Sequence, residues 1–94
     1  MGKAEYKVKD GKLIRVQLVK KENRIEKVKI TGDFFLHPEE LIEELEQALA
    51  GRELDESNLA KSIRIVIEQK GATLLGASPE DFTRCIVMAG EKDD

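Results

Sequence analysis

The sequence predicts an α/β (α+β) fold, in which a three-stranded antiparallel meander is followed by about three helices packed on one face of the sheet. Three observations predict it. Apolar and polar side chains alternate through the first 31 residues, as in strands with one buried face, and after residue 38 apolar side chains recur at helical spacing. Turn-forming residues separate these segments. A chain of 94 residues is expected to form one domain, residues 1–94, with an ordered core over about residues 5–90.

Two tight turns separate the predicted strands. The first strand covers Glu5–Lys9 and the second covers Lys12–Lys20. Asp10-Gly11 lies between them and favours a type I′ hairpin turn, because both central residues of that turn need φ > 0. A second turn is predicted near Glu22-Asn23, since Asn tolerates the left-handed conformation, and the third strand ends near Thr31-Gly32.

The alternation gives the sheet a buried face and an exposed face. The inner face collects Tyr6, Val8, Ile14, Val16, Leu18, Val28 and Ile30. The outer face collects Lys7, Lys9, Arg15, Gln17, Lys27 and Lys29. Ile25 has the wrong parity for the inner face, so it marks either a bulge or a position packed at the sheet edge. We interpret the basic outer face as solvated or as facing a protein partner, with RNA binding as a further alternative.

The first two helices are predicted from their apolar stripes. Pro38 fits the first helical position and Gly51 fits the position just after the helix end. The stripe between them consists of Leu41, Ile42, Leu45 and Leu49. The second helix starts near residues 55–57 and runs to Gln69, with the stripe Leu59, Ile63, Val66 and Ile67. Residues 63–67 also alternate as a strand would, but the continuation of the stripe back to Leu59 favours helix for 59–69.

The last helix is predicted from its start signal. Residues 72–77 are expected to form a loop, and Ser78-Pro79-Glu80-Asp81 has the layout of a capping box with Asp in the acidic position. The helix turns Phe82, Cys85, Ile86 and Ala89 inward. Residues 91–94 are expected to fray.

Several classes of enzyme chemistry lack their residues in this sequence. It contains no Gly-rich phosphate loop, and one His with one Cys cannot supply a nucleophilic triad or a Cys/His metal cluster. Cys85 is expected to be a buried, inert thiol, and His37 is expected to have a structural role. Glu39-Glu40 and Glu43-Glu44 are typical of the solvated side of an amphipathic helix. The chain is therefore not expected to be an enzyme on its own, and no metal is expected.

The charge is distributed unevenly and suggests oriented docking on a protein. Residues 1–31 carry ten Lys/Arg and four Asp/Glu, whereas residues 32–60 carry one Arg and nine acidic residues. The total of −3 and the pI near 5.3 argue against nucleic acid as the partner. The sequence shows neither a signal peptide nor an apolar run of about 20 residues, so it is expected to be cytoplasmic and free of membrane.

One segment, between the third strand and the first helix, points to a binding surface. It contains Gly32, Asp33, Phe34 and Phe35. Adjacent side chains on an extended chain point to opposite sides, so one phenylalanine is expected in the core and the other at the surface. An exposed aromatic is a common contact at a protein interface. The alternative is that the helices cover both rings.

The same segment carries a resemblance to a known family. Residues 11–14, residues 25–35 with the run Ile-Thr-Gly-Asp-Phe-Phe, and Pro38-Glu39-Glu40 before a Leu-rich helix resemble the C-terminal accessory domain of lipoate–protein ligases. A looser likeness continues through residues 76–81, so the resemblance covers the chain from about Tyr6 to Ala89. In this family the domain is either fused to the catalytic domain or, notably in archaea, a separate small protein. This chain looks like the separate kind.

The resemblance implies a heterodimer with a catalytic lipoate–protein ligase subunit. That partner would bind lipoate, ATP and Mg and form lipoyl-adenylate, which then passes its lipoyl group to a lysine of an acceptor protein. The accessory chain would bind no cofactor itself and would be needed chiefly for the first step. It also implies a fold similar to iron–sulfur scaffold proteins of the SufE/NifU type, without their cluster-binding cysteines. The contact strip is expected at Gly32, Asp33, Phe34 and Phe35, with Lys27 and Lys29 as rim charges.

The main alternative function is a regulatory or scaffold module that binds an acidic protein and has no role in acyl activation. Such a module would bind a partner and leave ligase activity unchanged. The sequence does not distinguish lipoate from octanoate as the activated acid, nor does it identify the acceptor protein.

Overall fold

Two antiparallel sheets and three helices make up the computed structural model, which describes residues 1–9 and 11–93. The elements, in chain order, are β1 Gly2–Lys7, β2 Leu13–Lys21, β3 Arg24–Gly32, β4 Phe35–His37, α1 Leu41–Leu49, α2 Glu56–Gln69, β5 Thr73–Leu75 and α3 Pro79–Glu91. The main sheet has the order β1-β2-β3, and β4 pairs with β5 in a separate small sheet. The predicted meander and the three predicted helices are confirmed, but the second sheet was not predicted.

The main sheet forms because each strand offers an apolar face to the helices. Ile14, Val16 and Leu18 of β2 are buried, as are Val28 and Ile30 of β3. α3 packs against β1 and β2, α1 packs against β3, and α2 packs against α1 and α3. The helices contribute, among others, the buried residues Leu41, Leu45, Leu49, Leu59, Ile63, Phe82, Cys85, Ile86 and Ala89. The predicted inner-face positions therefore meet the predicted helical stripes in one core.

The turn between β2 and β3 and the bulge beside it follow from two sequence signals. Glu22 and Asn23 have φ values of 53° and 64°, as a type I′ turn requires. Val19 pairs with Lys27 and Lys20 pairs with Ile25, so the register shifts by one residue there. The shift buries Ile25 and confirms the bulge rather than edge packing.

The turn between β1 and β2 is only partly described. The Val8 N–H donates to the Lys12 carbonyl oxygen at 2.7 Å, and the Gly11 N–H donates to the Val8 carbonyl oxygen at 3.0 Å. Asp10, the other half of the predicted type I′ dipeptide, lies outside the described residues.

Both ends of the chain differ from the sequence prediction. β1 begins at Gly2 rather than at Glu5, because small residues on its inner face let it approach α3 closely. A Cβ at Gly2 would lie 1.9 Å from the Ala89 carbonyl oxygen. The predicted fraying is wrong for Asp93, which is buried and accepts a hydrogen bond from the Lys20 N–H at 2.7 Å. Residue 94, also predicted to fray, lies outside the described residues.

The segment before α1 also needs correction. Pro38 does not occupy the first helical position, since α1 begins at Leu41. It opens a turn in which the Leu41 N–H donates to the Pro38 carbonyl oxygen at 3.1 Å, followed by the same three-residue spacing from Ile42 to Glu39. Hydrogen bonds with this spacing form a tighter turn than those of an α-helix, and the turn connects β4 to α1.

The remaining helix signals agree with the structure. α2 is helical throughout Glu56–Gln69, which settles 59–69 as helix, and Gly51 follows α1 with φ 86°. Ser78 caps α3: its hydroxyl accepts from the Asp81 N–H at 3.2 Å, while the Asp81 carboxylate accepts from the Ser78 N–H at 2.9 Å. No helix in the described part of the chain is long and apolar enough to cross a membrane.

Candidate functional site

The segment after β3 is held against the start of β2 by its glycine. A Cβ placed at Gly32 would lie 2.2 Å from the Leu13 carbonyl oxygen and 2.9 Å from the ring of Phe34. The backbone of one strand and the ring of the following phenylalanine thus occupy the space that any side chain would need. Gly32 is therefore required for packing at this point.

Asp33 extends the sheet beyond its last paired residue. Its N–H donates to the Leu13 carbonyl oxygen at 3.1 Å, and its carboxylate oxygen Oδ1 accepts from the Leu13 N–H at 2.6 Å. The side chain thus substitutes for the backbone carbonyl that a regular ladder would offer. Asp33 is exposed, but its carboxylate oxygen is engaged with the backbone of β2.

The two phenylalanines divide as the sequence predicts. Phe34 is half-buried, and its ring meets that of Phe82 edge-on with centroids 4.8 Å apart and planes at 89°. Phe35 is the first residue of β4 and is 51% exposed. Its ring is parallel to that of the exposed His37, with centroids 6.3 Å apart. Phe34 therefore belongs to the core, whereas Phe35 faces solvent.

The small sheet places a second large apolar side chain beside Phe35. Leu75 of β5 pairs with Phe35 of β4, and Leu75 is 59% exposed. We call this pair the end patch. Sequence reasoning missed Leu75, although Leu74-Leu75 repeats the pattern of two adjacent apolar residues, with Leu74 half-buried. The same parity argument applied to that pair would have found it.

A shallow cavity adjoins the end patch. Its volume is about 280 Å³, and it is lined by Ile30, Thr31, Gly32, Phe34, Phe35, Leu36, Glu39 and Ile42. Most of these side chains are apolar, and Glu39 is exposed. The end patch and the cavity together give a protruding and a receding apolar surface side by side, which is a shape that a protein partner can match.

Lys27 and Lys29 lie on a different surface from Phe35. Both are exposed on the outer face of the main sheet, where Lys29 pairs with Gln17 and Lys27 pairs with Val19. At about 3.3 Å per residue, Lys27 lies roughly 17 Å from Gly32 along β3. The six predicted contact residues therefore fall into three groups: Gly32, Asp33 and Phe34 in the junction, Phe35 in the end patch, and the two lysines on the sheet face.

The environment of Cys85 agrees with a buried, inert thiol. Cys85 is buried, and its Sγ lies 3.6 Å from the carbonyl oxygens of Ala4 and Ile14. Burial raises the pKa of the Cys85 thiol to about 11, so the thiol stays protonated near neutral pH. Within residues 1–9 and 11–93, no group of three or more His, Cys, Asp and Glu side chains could hold a metal ion.

Comparison with known proteins gives consistent results. Residues 4–86 match the family model described as bacterial lipoate protein ligase C-terminus. The chain is 41% identical over 81 residues to lipoate-protein ligase A subunit 2 of Thermoplasma acidophilum, covering 86% of this chain and 82% of that protein. It also superposes with a TM-score of 0.77 and 37% identity on a chain from a structural study of an archaeal lipoylation system, a bi-partite lipoate protein ligase and its E2 lipoyl domain from the same organism. That match covers 89% of this chain and 91% of the other.

Proposed function

Because the chain belongs to the family of lipoate protein ligase C-terminal domains and is a homologue of the accessory subunit of a bipartite ligase, we propose that it acts as that subunit in its own organism. The observation that carries the proposal is the match to a separate second subunit over most of both chains. Its partner is then a catalytic lipoate–protein ligase subunit, and the cytoplasm is the expected compartment.

The reaction would run in two steps on the partner. The carboxylate of lipoate attacks the α-phosphorus of ATP, giving lipoyl-adenylate and pyrophosphate, and a lysine amine of the acceptor protein then displaces AMP. As the resemblance implies, ATP, Mg and lipoate would be bound by the partner. The accessory chain contributes to the first step by docking, which orders loops of the catalytic subunit and excludes water from the reacting groups.

The end patch is the part of the chain best suited to that docking. Phe35 and Leu75 are about half exposed, so covering both would contribute about 2 kcal/mol, taking half of the burial energy of each side chain. The adjoining cavity offers a place for an apolar side chain of the partner. Gly32, Asp33 and Phe34 support the docking indirectly, because they fix the position of β4 relative to the main sheet.

The first experiment is lipoate-dependent pyrophosphate release by the catalytic subunit, measured with and without this chain. Release only with both chains present is expected. Full release without this chain would refute the accessory role and leave a protein-binding module, the alternative function.

A second experiment tests the end patch. Phe35→Ala and Leu75→Ala should each raise the chain concentration that gives half-maximal release by roughly tenfold, since the loss of a central apolar contact costs about 1–2 kcal/mol. Ile65→Ala is the matched control, because Ile65 is also 51% exposed but lies on α2, and it should change that concentration less than twofold. If Phe35→Ala and Leu75→Ala behave like the control, the end patch is not the docking surface even where the accessory role holds.

The likeness to iron–sulfur scaffold proteins stays a proposal about the fold alone. The single cysteine of the sequence, Cys85, is buried in the core and its pKa is raised. It is therefore unsuited to hold a cluster, and that function does not follow from the fold.

A further inference from the structure

The outer face of the main sheet is exposed and carries mostly positive charge. Its exposed side chains are Lys3, Glu5, Lys7, Arg15, Gln17, Lys27, Lys29 and Thr31. Strand pairing places Lys3 and Lys29 on either side of Gln17, roughly 10 Å apart across the sheet. We call this surface the basic face.

The positive charge of the basic face is largely unpaired. Glu5 pairs with Arg15, with its carboxylate oxygen 2.8 Å from Nε. Among the described residues, the lysines of the face have no carboxylate within 4.0 Å. An unneutralised group of cations on a flat surface attracts an acidic partner over several ångströms, and salt screens the attraction.

The edge of the sheet next to α1 is partly closed to a further strand. The Ile30 N–H points away from β2 and donates to the Glu46 carboxylate oxygen Oε2 at 2.8 Å. Nearer the turn, the Ile25 N–H donates to the Arg52 carbonyl oxygen at 2.8 Å. Between these points, a groove of about 570 Å³ lies between β3 and α1, and its charged lining side chains are those of Lys27 and Lys29 and the three carboxylates of Glu26, Glu43 and Glu46. An acidic partner therefore approaches across the face rather than into this groove or as an added strand.

We propose that the basic face docks the acidic surface of the protein that accepts the lipoyl group. This inference rests on the proposed function, in which the second step needs a third protein besides the two subunits. An acceptor is a substrate, so it must arrive quickly and leave after transfer. Solvated charge pairs give fast, salt-sensitive and weak association, which matches that requirement, whereas an apolar patch suits a lasting subunit contact.

The described residues of the basic face include no aromatic side chain, which favours a protein partner over RNA. Single-stranded RNA binding normally combines cations with aromatic side chains on which bases stack. No described residue of this face is aromatic: Tyr6 has the parity of the inner face, and Phe35 belongs to the end patch.

The test separates the two steps of the reaction. Pyrophosphate release without acceptor reports on the catalytic subunit with this chain, and lipoyl transfer to an apo E2 lipoyl domain of the source organism, the kind of domain that the archaeal system contains, reports on acceptor docking. The variant is Lys3→Glu/Lys7→Glu, which reverses two exposed charges of the basic face on β1. The control is Lys61→Glu/Arg84→Glu, which makes the same change in net charge at exposed positions of α2 and α3.

The expected result is a KM for the lipoyl domain raised roughly tenfold at low salt by Lys3→Glu/Lys7→Glu, with pyrophosphate release unchanged. The control should change this KM less than twofold. With the unmodified chain, added salt should raise the KM for the lipoyl domain toward the value measured with the variant. Lys3→Gln/Lys7→Gln should give an intermediate KM, because it removes the positive charges without reversing them.

Three results would overturn the proposal. An unchanged KM, or an equal change in the control, would remove the face as an acceptor site. Loss of pyrophosphate release in the variant would assign the face to the catalytic subunit. Binding of a mixed-sequence RNA oligonucleotide that the variant abolishes, together with an unchanged KM, would assign it to nucleic acid. Pyrophosphate release that never depends on this chain is a separate outcome, and it refutes the accessory role itself.

Discussion

The end patch and the basic face differ in chemistry, although β3 leads from one to the other. The end patch consists of two apolar side chains on three-residue strands, beside an apolar cavity. The basic face consists of long cationic side chains on strands of six to nine residues. Burial of apolar area drives the first kind of contact and is little affected by salt, whereas charge drives the second and is screened by salt.

The difference indicates how a small chain could serve two partners. A domain of this size leaves a large share of its surface exposed, and two separate parts of that surface are available for contacts. Separating the apolar and charged surfaces lets one partner stay bound while another comes and goes. Substitutions in the junction, at Gly32, Asp33 or Phe34, should therefore weaken docking at the end patch more than docking at the basic face.

The largest expected effect is that of Gly32→Ala. The added Cβ would meet the Leu13 carbonyl oxygen at 2.2 Å, so the backbone at the junction must move, and we expect a loss of about 3 kcal/mol in the free energy of unfolding. Urea denaturation measures it. Gly51→Ala is the control: Gly51 has φ 86° and nothing within 4 Å of the added atom, so only backbone strain of about 1 kcal/mol is expected. Equal losses in the two variants would show that the close contact does not matter.

The next effect separates the adjacent phenylalanines. Phe34→Ala removes the edge-on contact with Phe82 and should lower the free energy of unfolding by about 2 kcal/mol. Phe35→Ala should change it by less than about 0.5 kcal/mol, because its ring faces solvent. The same denaturation experiment checks both. A large loss of stability for Phe35→Ala would mean that the end patch has a structural role. Any loss of pyrophosphate release in that variant would then be explained by unfolding and not by the loss of a docking contact.

Most of the fold could be predicted because its elements have strong local patterns. The alternation of Ile14, Val16 and Leu18 predicted β2 and its buried face, and Ser78 with Asp81 predicted the start of α3. The small sheet could not be predicted in this way. β4 and β5 have three residues each, too few to show a period, and they pair across a long stretch of chain that includes two helices.

The candidate site was predicted less completely than the fold. The parity of Phe34 and Phe35 correctly assigned one ring to the interior, but parity alone did not say which one. The roles of Gly32 and Asp33 depend on their distance from Leu13, twenty residues earlier than Asp33, and no local pattern contains that information. Lys27 and Lys29 are near Phe35 in sequence, but an extended strand places them on a different surface, and local sequence does not contain that separation.

The smallest expected effect concerns the two carboxylates that hold opposite ends of β2. Asp33 accepts from the Leu13 N–H at the start of the strand, and Asp93 accepts from the Lys20 N–H near its end. The hydrogen bond from the Lys20 N–H holds the pKa of Asp93 below its ordinary value. A carboxyl with a lowered folded pKa stabilises the fold above its unfolded pKa of about 3.9, and this contribution is lost as the pH falls through the folded pKa.

Asp93→Asn should therefore lower the Tm at pH 7, and the Tm difference from the unmodified chain should shrink as the pH falls below about 4. The amide can still accept from the Lys20 N–H, so only the part due to charge is removed. Glu68→Gln, which removes the same charge from an exposed position of α2, is the control and should leave the Tm nearly unchanged at either pH. A Tm difference for Asp93→Asn that persists unchanged at low pH would show that packing rather than charge holds this end of β2. Because Lys20 lies far along β2 from the junction at Leu13, pyrophosphate release should not change in Asp93→Asn at temperatures where the chain is folded.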